Sequence, residues 1–417
     1  MKKQDFTLEN LVIEVDETEF ILTRNELLEI HYMEDITKSN IVVALTITDT
    51  QSSIVSKLFG MEPILVSWTC NETTVTLPLI IYDIKDRVLF KGKRRATIYC
   101  CSRDAINNAS AKLSIRFGSG GGESISDIVR RLLETTLGST KTINTDDTET
   151  KISFISPYWD PFTIISWMSW RAIPVVEEAE FKPSAGYLFW ETPMQYNFRS
   201  MDLLCRDEVK KTILVGHEDK PEDYDENVVH VDSFTISGSS DVFRGLNLGS
   251  YNSTMMTIDL KDFSYKEIPF NVNKYYDSMV KMNKDSVLPK YYEDVFGDGS
   301  QQIQPTRIMS RVIDTAMYTE GKYTQDLTRQ LSQSMIRNQF FFNQAGTFEY
   351  YGDQDLMCGD IVDITTLKGK NKDIDTVQSG RYIVGKIYRQ FTADSEQMVT
   401  RVTVYRDSMG TETMEEV

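Results

Sequence analysis

Short apolar runs punctuated by turn residues dominate the first part of the chain. Residues 41–47, 64–68, 75–82, 96–100 and 113–117 are rich in β-branched and aromatic side chains, separated by turn chemistry such as Phe59-Gly60 and Lys91-Gly92. That combination predicts an antiparallel sandwich or barrel, since such side chains pack well on a pleated surface and glycine relieves the turns. Residues 1–117 are therefore assigned to one all-β domain.

The pattern breaks at Gly118-Ser119-Gly120-Gly121-Gly122, read as a hinge or linker. A helix is predicted next: Ser124 caps it with Asp127 near the third position, Ile125, Ile128, Val129, Leu132 and Leu133 share one face, and Gly138 ends it. Asp160-Pro161 marks a second helix start leading into Phe162, Ile165, Met168 and Ala172, with Pro174 as the stop. Two short aromatic strands, 187–190 and 196–198, flank a Glu191-Thr192-Pro193 turn. Residues 118–210 thus read as an α+β middle region.

Residues 217–227 are acidic and poor in apolar side chains, which predicts a solvated loop. Strand signals return at 228–236 and 254–260, whereas 273–328 are mixed, polar and weakly patterned. The last segment is legible again, with strands predicted at 339–342, 347–350, 360–364, 380–388 and 399–405. The final two alternate by side and are joined by a polar stretch, as a closing hairpin would be. The expected division is a second β-domain from 211–243 and 335–410, an inserted domain or extended arm at 244–334, and a tail at 411–417. The fold class is mainly β with α+β insertions, organised as two antiparallel β-barrels and a middle α+β region.

With 41% hydrophobic and 26% charged residues among 417, the chain has enough apolar material for several cores. Its formal charge of −17 opposes general binding to the nucleic-acid backbone. No apolar run approaches the roughly 20 residues that span a bilayer, and the first residues lead into no signal-peptide core, so synthesis in a cytoplasm and no membrane insertion are expected. Cys70, Cys100, Cys101, Cys205 and Cys358 are scattered without a C-x-x-C pair and read as reduced packing residues. The sequons at Asn71, Asn108 and Asn252 read as chance matches.

Candidate chemistry is sparse. His31, His217 and His230 share no ligand or triad spacing, so neither a catalytic nor a metal site is expected. The glycine run at 118–122 lacks the lysine and hydroxyl end of a phosphate loop, and the acidic stretch from Glu218 to Glu226 lacks the spacing of a calcium loop. Carboxylate pairs such as Asp49 with Glu62, or Asp353 with Asp355, arise by number in so acidic a chain. The aromatic cluster Trp159, Phe162, Trp167, Trp170, Phe189, Trp190, Tyr196 and Phe198 reads first as core. With Arg171 and Arg199 beside it, it also suits a subunit interface. No cofactor is expected.

The final segment resembles the C-terminal barrel of the central baseplate hub proteins of contractile-tailed bacteriophages. Asp355-Leu356-Met357-Cys358-Gly359-Asp360-Ile361-Val362 looks like the family's glycine-aspartate step into a strand. Ser379-Gly380-Arg381-Tyr382-Ile383-Val384 looks like its S-G-R-Y strand, and Arg401-Val402-Thr403-Val404-Tyr405-Arg406-Asp407-Ser408 like its closing R-D-S strand. The middle is similar to the hub pattern of a helix ending in Arg171-Ala172, an aromatic strand at 187–190 and then Phe198-Arg199-Ser200. Asp49, Gly60-Met61-Glu62 and the 75–82 strand look more loosely like a tail-tube-type barrel. The likeness covers most of the chain, with 273–328 unmatched.

The resemblance implies two tail-tube-like barrels per chain and a homotrimer with a pseudo-sixfold ring. Such a ring joins the sixfold tail tube to a threefold central spike and leaves a channel through which DNA passes without specific binding. Tube or tube-initiator proteins, the spike and surrounding baseplate wedge proteins are the implied partners, and the virion tail the implied location. The implied role is structural, not enzymatic, and any wall-degrading activity would belong to a partner, since only 411–417 follow the closing strand. Candidate interface or motif residues are Trp167, Trp170, Arg171, Phe189, Trp190, Phe198, Arg199, Gly359, Asp360, Gly380, Arg381, Tyr382, Arg406 and Asp407. Gly359 and Gly380 are expected where a tight turn or bulge excludes a Cβ. Asp360, Arg406 and Asp407 are expected at barrel rims, fixing register with a neighbour. The rival readings are a glycan-binding virion receptor protein with exposed aromatic platforms and the hub of a phage-tail-derived injection device.

Overall fold

The computed structural model describes residues 6–49, 54–70, 73–90, 92–118, 121–177, 183–216, 227–238, 241–272, 279–286, 288, 305–320, 327–352, 355–368, 373–394 and 397–410. Residues 217–226 of the expected acidic loop, Ser119-Gly120, Asp353, the tail 411–417 and much of 273–328 lie outside them.

The N-terminal strands are β1 (Thr7–Val15), β2 (Thr18–Ile21), β3 (Leu27–Asp35), β4 (Val42–Asp49), β5 (Pro63–Cys70), β6 (Thr73–Phe90) and β7 (Lys93–Cys101). They pair antiparallel in the order β3-β4-β7-β6-β5-β1-β2. Alternation sends Ile30, Tyr32, Val43, Leu45, Val66, Trp68 and Ile98 inward, all essentially without exposure, into one core.

Seven short strands serve the middle: β8 (Arg116–Phe117), β9 (Glu123–Ser124), β10 (Thr142–Thr145), β11 (Lys151–Ile152), β12 (Phe154–Ile155), β13 (Tyr187–Glu191) and β14 (Gln195–Ser200). Two helices pack on them. Ser124 accepts from the Asp127 N–H to cap Ile125–Arg131, which runs on as a π turn over Leu132–Thr136, and Asp160 accepts from the Thr163 N–H to cap Pro161–Ser169. Their apolar faces bury Ile125, Ile128, Val129, Leu132, Leu133, Ile165 and Met168 against Phe189, Tyr196 and Phe198 in a second core. Phe117, which the sequence reading places at the end of the first β-domain, packs here instead, because β8 pairs with β12.

The remaining strands are β15 (Val209–Val215), β16 (Val228–Val231), β17 (Phe234–Gly238), β18 (Asn252–Asp259), β19 (Tyr265–Asn271), β20 (Arg307–Ile313), β21 (Tyr318–Glu320), β22 (Gln344–Tyr351), β23 (Ile361–Thr365), β24 (Leu367–Lys368), β25 (Asp373–Ile374), β26 (Gly380–Thr392) and β27 (Gln397–Arg406). Strands β16-β15-β23-β26-β27-β22-β17 surround a third core that includes Ile361, Val362, Ile364, Tyr382, Ile383, Val402 and Val404. The pairing is not purely antiparallel, since β15 runs parallel to both β16 and β23. Strands β19-β18-β20 form a separate three-stranded sheet.

The two β-halves are one sheet. Strand β26 pairs with β23 as far as Ile383, shifts register between Val384 and Lys386, and then pairs antiparallel with β3 from Lys386–Asp35 to Thr392–Glu29. The mainly β class with α+β insertions is as expected; among the described residues fourteen strands form one continuous sheet, with no closed barrel. The physical reason is that β3, the strand that would close the N-terminal half on itself, is taken by the other half. Both halves still curl: β2 leads into β3 through residues 22–26, and β16 into β17 through Asp232 and Ser233, so each sheet's far strands lie close in sequence.

The strand expected at 339–342 is instead the end of a helix, Leu327–Phe341. Its buried face carries Ser334, Arg337 and Phe341, and that polar content hid the helical period. Strand β26 also delivers Phe391 into the N-terminal core, where its ring stacks on Phe6 at 4.0 Å. Phe391→Ala is expected to cost about 3–5 kcal/mol. The loss should appear as one shifted urea transition followed by circular dichroism, since the strand belongs to both halves.

Candidate functional site

The most densely connected site is a set of buried charges where distant segments meet. Ser200 accepts from the Asp202 N–H and caps the short helix Met201–Leu204, which fixes Asp202 just after β14. Asp407 follows β27, and the helix Leu327–Phe341 brings Arg337 between them. Arg337 donates from Nε to Asp202 Oδ1 at 2.7 Å and from Nη1 to Asp407 Oδ2 at 2.7 Å; Nη2 lies 2.9 Å from Cys205 Sγ. The second carboxylate oxygens are also used: Asp202 Oδ2 accepts from the Ser184 N–H at 2.7 Å, and Asp407 Oδ1 from the Met282 N–H at 3.0 Å and the Ser408 hydroxyl at 2.7 Å. All three side chains are at most 2% exposed. Burial opposes the guanidinium charge, but Cys205, Asp407 and Asp202 together hold its pKa well above the usual value. Buried charge is tolerable only with this degree of satisfaction.

Two further clusters follow the same logic. At the β3–β26 seam, Glu34 accepts from the Tyr32 hydroxyl at 2.6 Å, from Arg389 Nη1 at 3.2 Å and from the Cys358 N–H at 3.0 Å, while Arg389 also donates to the Leu356 carbonyl at 2.8 Å. Burial pushes the Glu34 carboxyl up, and Arg389 only partly pulls it back. Glu191, at the end of β13, accepts from the Ile41 N–H at 2.9 Å and the Ser102 hydroxyl at 3.2 Å and lies 2.7 Å from Lys141 Nζ, joining the middle region to the N-terminal half. Each carboxylate is held by donors from other segments of the chain, an arrangement suited to holding segments in place.

Trp190, Arg199, Gly359 and Asp360 come together around one cleft, with Asn197, Asp207 and Lys210. Trp190 Nε1–H donates to the Cys358 carbonyl at 2.9 Å. Gly359 has φ +98°, and a Cβ there would collide with the Trp190 ring. Asp360 accepts from the Met357 N–H at 2.8 Å and pairs with Lys210 at 3.2 Å; burial raises its pKa and Lys210 opposes the rise. Arg199 spans Asp146 at 2.8 Å and Asp207 at 3.0 Å.

Elsewhere, Gly380 has φ +124° and lies so close to the Gly410 carbonyl that a Cβ would not fit. The Arg381 N–H donates to Asn283 Oδ1 at 2.8 Å, and its guanidinium reaches the Asp207 carbonyl. The buried Tyr382 hydroxyl donates to the Gln378 carbonyl at 2.7 Å, and burial pushes its pKa up to about 12. Arg406 sits 4.5 Å over the Tyr382 ring and donates to Gln344 Oε1 at 2.8 Å and to the Ser379 and Val377 carbonyls. Arg406 and Asp407 were expected at a rim facing a neighbour; both are buried and bond the chain's own loops, which corrects that placement. Phe189 and Phe198 are core. Trp167 is half-buried beneath Arg171, and Trp170 is exposed.

The sequence reading missed Arg337, Asp202, Glu34, Arg389 and Glu191. A signal existed for Glu34: in β3 it falls in step with Ile30 and Tyr32, a charge on the apolar face. All five cysteines are buried and unpaired with one another, and burial raises the Cys100, Cys101, Cys205 and Cys358 thiol pKa values.

Arg337→Ala leaves two buried carboxylates uncompensated and is expected to cost about 3–5 kcal/mol in urea denaturation. Because the Glu34 pKa is raised in the folded state, that state holds the proton more tightly than the unfolded chain. Its contribution to stability therefore falls as pH rises from about 4, the ordinary carboxylate value, through the raised one. Glu34→Gln is expected to flatten that part of the denaturation midpoint against pH, relative to the parent chain.

No protein-family model matches the sequence, and no curated protein matches it. Solved structures do match. The tail protein from Neisseria meningitidis MC58 superposes with a TM-score of 0.57 at 9% identity, covering 97% of this chain and 97% of that one. The 43 kDa tail protein of prophage MuSo2 from Shewanella oneidensis gives a TM-score of 0.55 at 9% identity, covering 97% of this chain and 100% of that one. At such identities the likeness is one of architecture, and it extends over nearly the whole length of all three proteins: the chain has the fold of these tail proteins.

Proposed function

We propose that the chain is a structural subunit of the central hub in a contractile-tail baseplate. The observation that carries this reading is the full-length match to two tail proteins, in a chain whose two curled β-halves are fused edge to edge through β3 and β26. Each chain then contributes two β-units to a ring, and three chains contribute six. A homotrimer of this kind presents a pseudo-sixfold face to the tail tube or its initiator and a threefold face to the spike, with wedge proteins around it. DNA would pass through the central channel without specific binding, which accords with a charge of −17. Buried carboxylates that bond distant segments of the chain fit a structural part better than a catalyst. The location implied is the virion tail, after assembly in the host cytoplasm.

Analytical ultracentrifugation of the purified full-length chain is expected to give a species of three times 47.9 kDa. A stable monomer at micromolar concentration, or binding to a glycan array by a monomer, would speak for the receptor reading instead.

A further inference from the structure

Apolar and cationic side chains are displayed together along the β6–β7 hairpin and the loop beside it. Strand β5 pairs with β6 no further than Ile80, and among the described residues 82–90 then has β7 as its only strand neighbour. On this stretch Val88 is 52% and Leu89 71% exposed, and Arg87, Lys93 and Arg94 also face solvent. Among the described residues these three cations form no ion pair, whereas Lys85 and Arg95 lie beside Asp83 and Glu29. Residues 58–62 run against the same strand: the Met61 N–H donates to the Ile81 carbonyl at 2.7 Å, and the Arg87 guanidinium donates to the Leu58 carbonyl. That loop displays Phe59 at 86% and Met61 at 62% exposure. Its shape is pinned, since Glu62 accepts from the Phe59 N–H at 2.6 Å and from the Gly60 N–H at 2.8 Å, and Met61 keeps φ +78°. A left-handed backbone at a residue other than glycine persists where surrounding bonds over-determine it; here those bonds hold two apolar side chains out in water.

We propose that the loop and the hairpin form one docking surface for a partner protein that presents carboxylates around an apolar groove. Such a partner takes the exposed aliphatic and aromatic groups out of water, and its carboxylates receive charge-assisted hydrogen bonds from the free cations. Val88 pairs with Arg95 and Leu89 with Arg94, so the two faces of the ribbon each carry an aliphatic group and an arginine. A ribbon with the same chemistry on both faces fits a groove better than a flat surface. Chain order argues against two other anionic partners. Lys93 lies nearer the hairpin tip than Leu89, and Arg94 is level with it, so a lipid surface would take in charge before it reached the aliphatic pair. Nucleic-acid phosphates would use the cations and leave Phe59, Met61 and Leu89 in water. The net charge of −17 acts through a field screened beyond about 8 Å at physiological salt, so the local sign decides at contact.

The inference needs no particular oligomeric state, so its failure and that of the hub reading are separate results. The full-length parent is titrated against a fluorescent peptide that alternates glutamate and leucine, with anisotropy as the readout. Phe59→Ser, Leu89→Ser and the double variant Lys93→Glu, Arg94→Glu are compared with it. Phe263→Ser, at a side chain 78% exposed between β18 and β19, is the control. All of these side chains are exposed, and circular dichroism checks the fold. The expected result is binding that weakens with salt, with a dissociation constant raised about tenfold or more by each patch variant and unchanged by Phe263→Ser. Equal binding by all variants, or none by the parent, would overturn the surface. Patch variants that keep the peptide but lose retention on single-stranded DNA or on phosphatidylglycerol vesicles would overturn it in favour of those partners. Parent self-association that the patch variants lose while keeping the peptide would overturn it in favour of a second copy.

Discussion

The structure depends on one shared strand. Along β26, Ile387 points into the C-terminal core, Arg389 to the seam and Phe391 into the N-terminal core, so consecutive inward positions walk from one half to the other. Side chains alternate with period two, and a one-residue slip would turn all three outward. The register shift at Gly385 and the Glu34–Arg389 contact define the register in which both cores are satisfied at once. A slipped pairing would bury Arg389 without its carboxylate, a heavy cost in low dielectric.

The same principle ties down the middle region. Asp202 comes from the stretch after the Phe198-Arg199-Ser200 motif and Asp407 from the Arg406-Asp407-Ser408 motif, and Arg337 binds both. Glu191 reaches from β13 to the Ile41 amide. Two motifs far apart in sequence are thus parts of one buried structure, and their charged residues serve the chain's interior. Of the motif residues in the middle region, Trp170 is exposed and Arg171 stacks on the half-buried Trp167.

Much of the β-architecture was legible because alternation and turn residues are local signals. The strands β4, β5, β7, β26 and β27 and the two capped helices fall where pattern and capping chemistry place them. Their arrangement was less so. Strand β3 was missed because Glu29, Glu34 and Asp35 interrupt its apolar pattern, yet it is the joint between the halves. The Leu327–Phe341 helix was read partly as strand because its buried face holds serine and arginine. Parallel pairing of β15 and the open sheet are long-range outcomes that no local period encodes. The motif glycines were placed by chain chemistry, and positive φ with close backbone or ring contacts accounts for both Gly359 and Gly380.

In the proposed hub, fusion of two β-halves along one strand would turn threefold assembly into a sixfold-like face. Rigidity of the seam matters here, since two loosely tethered units could not hold a common ring. Electron microscopy of the purified particle tests this most directly. The account predicts closed rings with a central hole, threefold averages and six similar densities around the channel. Twofold particles, or rings in which only three units line the hole, would contradict it.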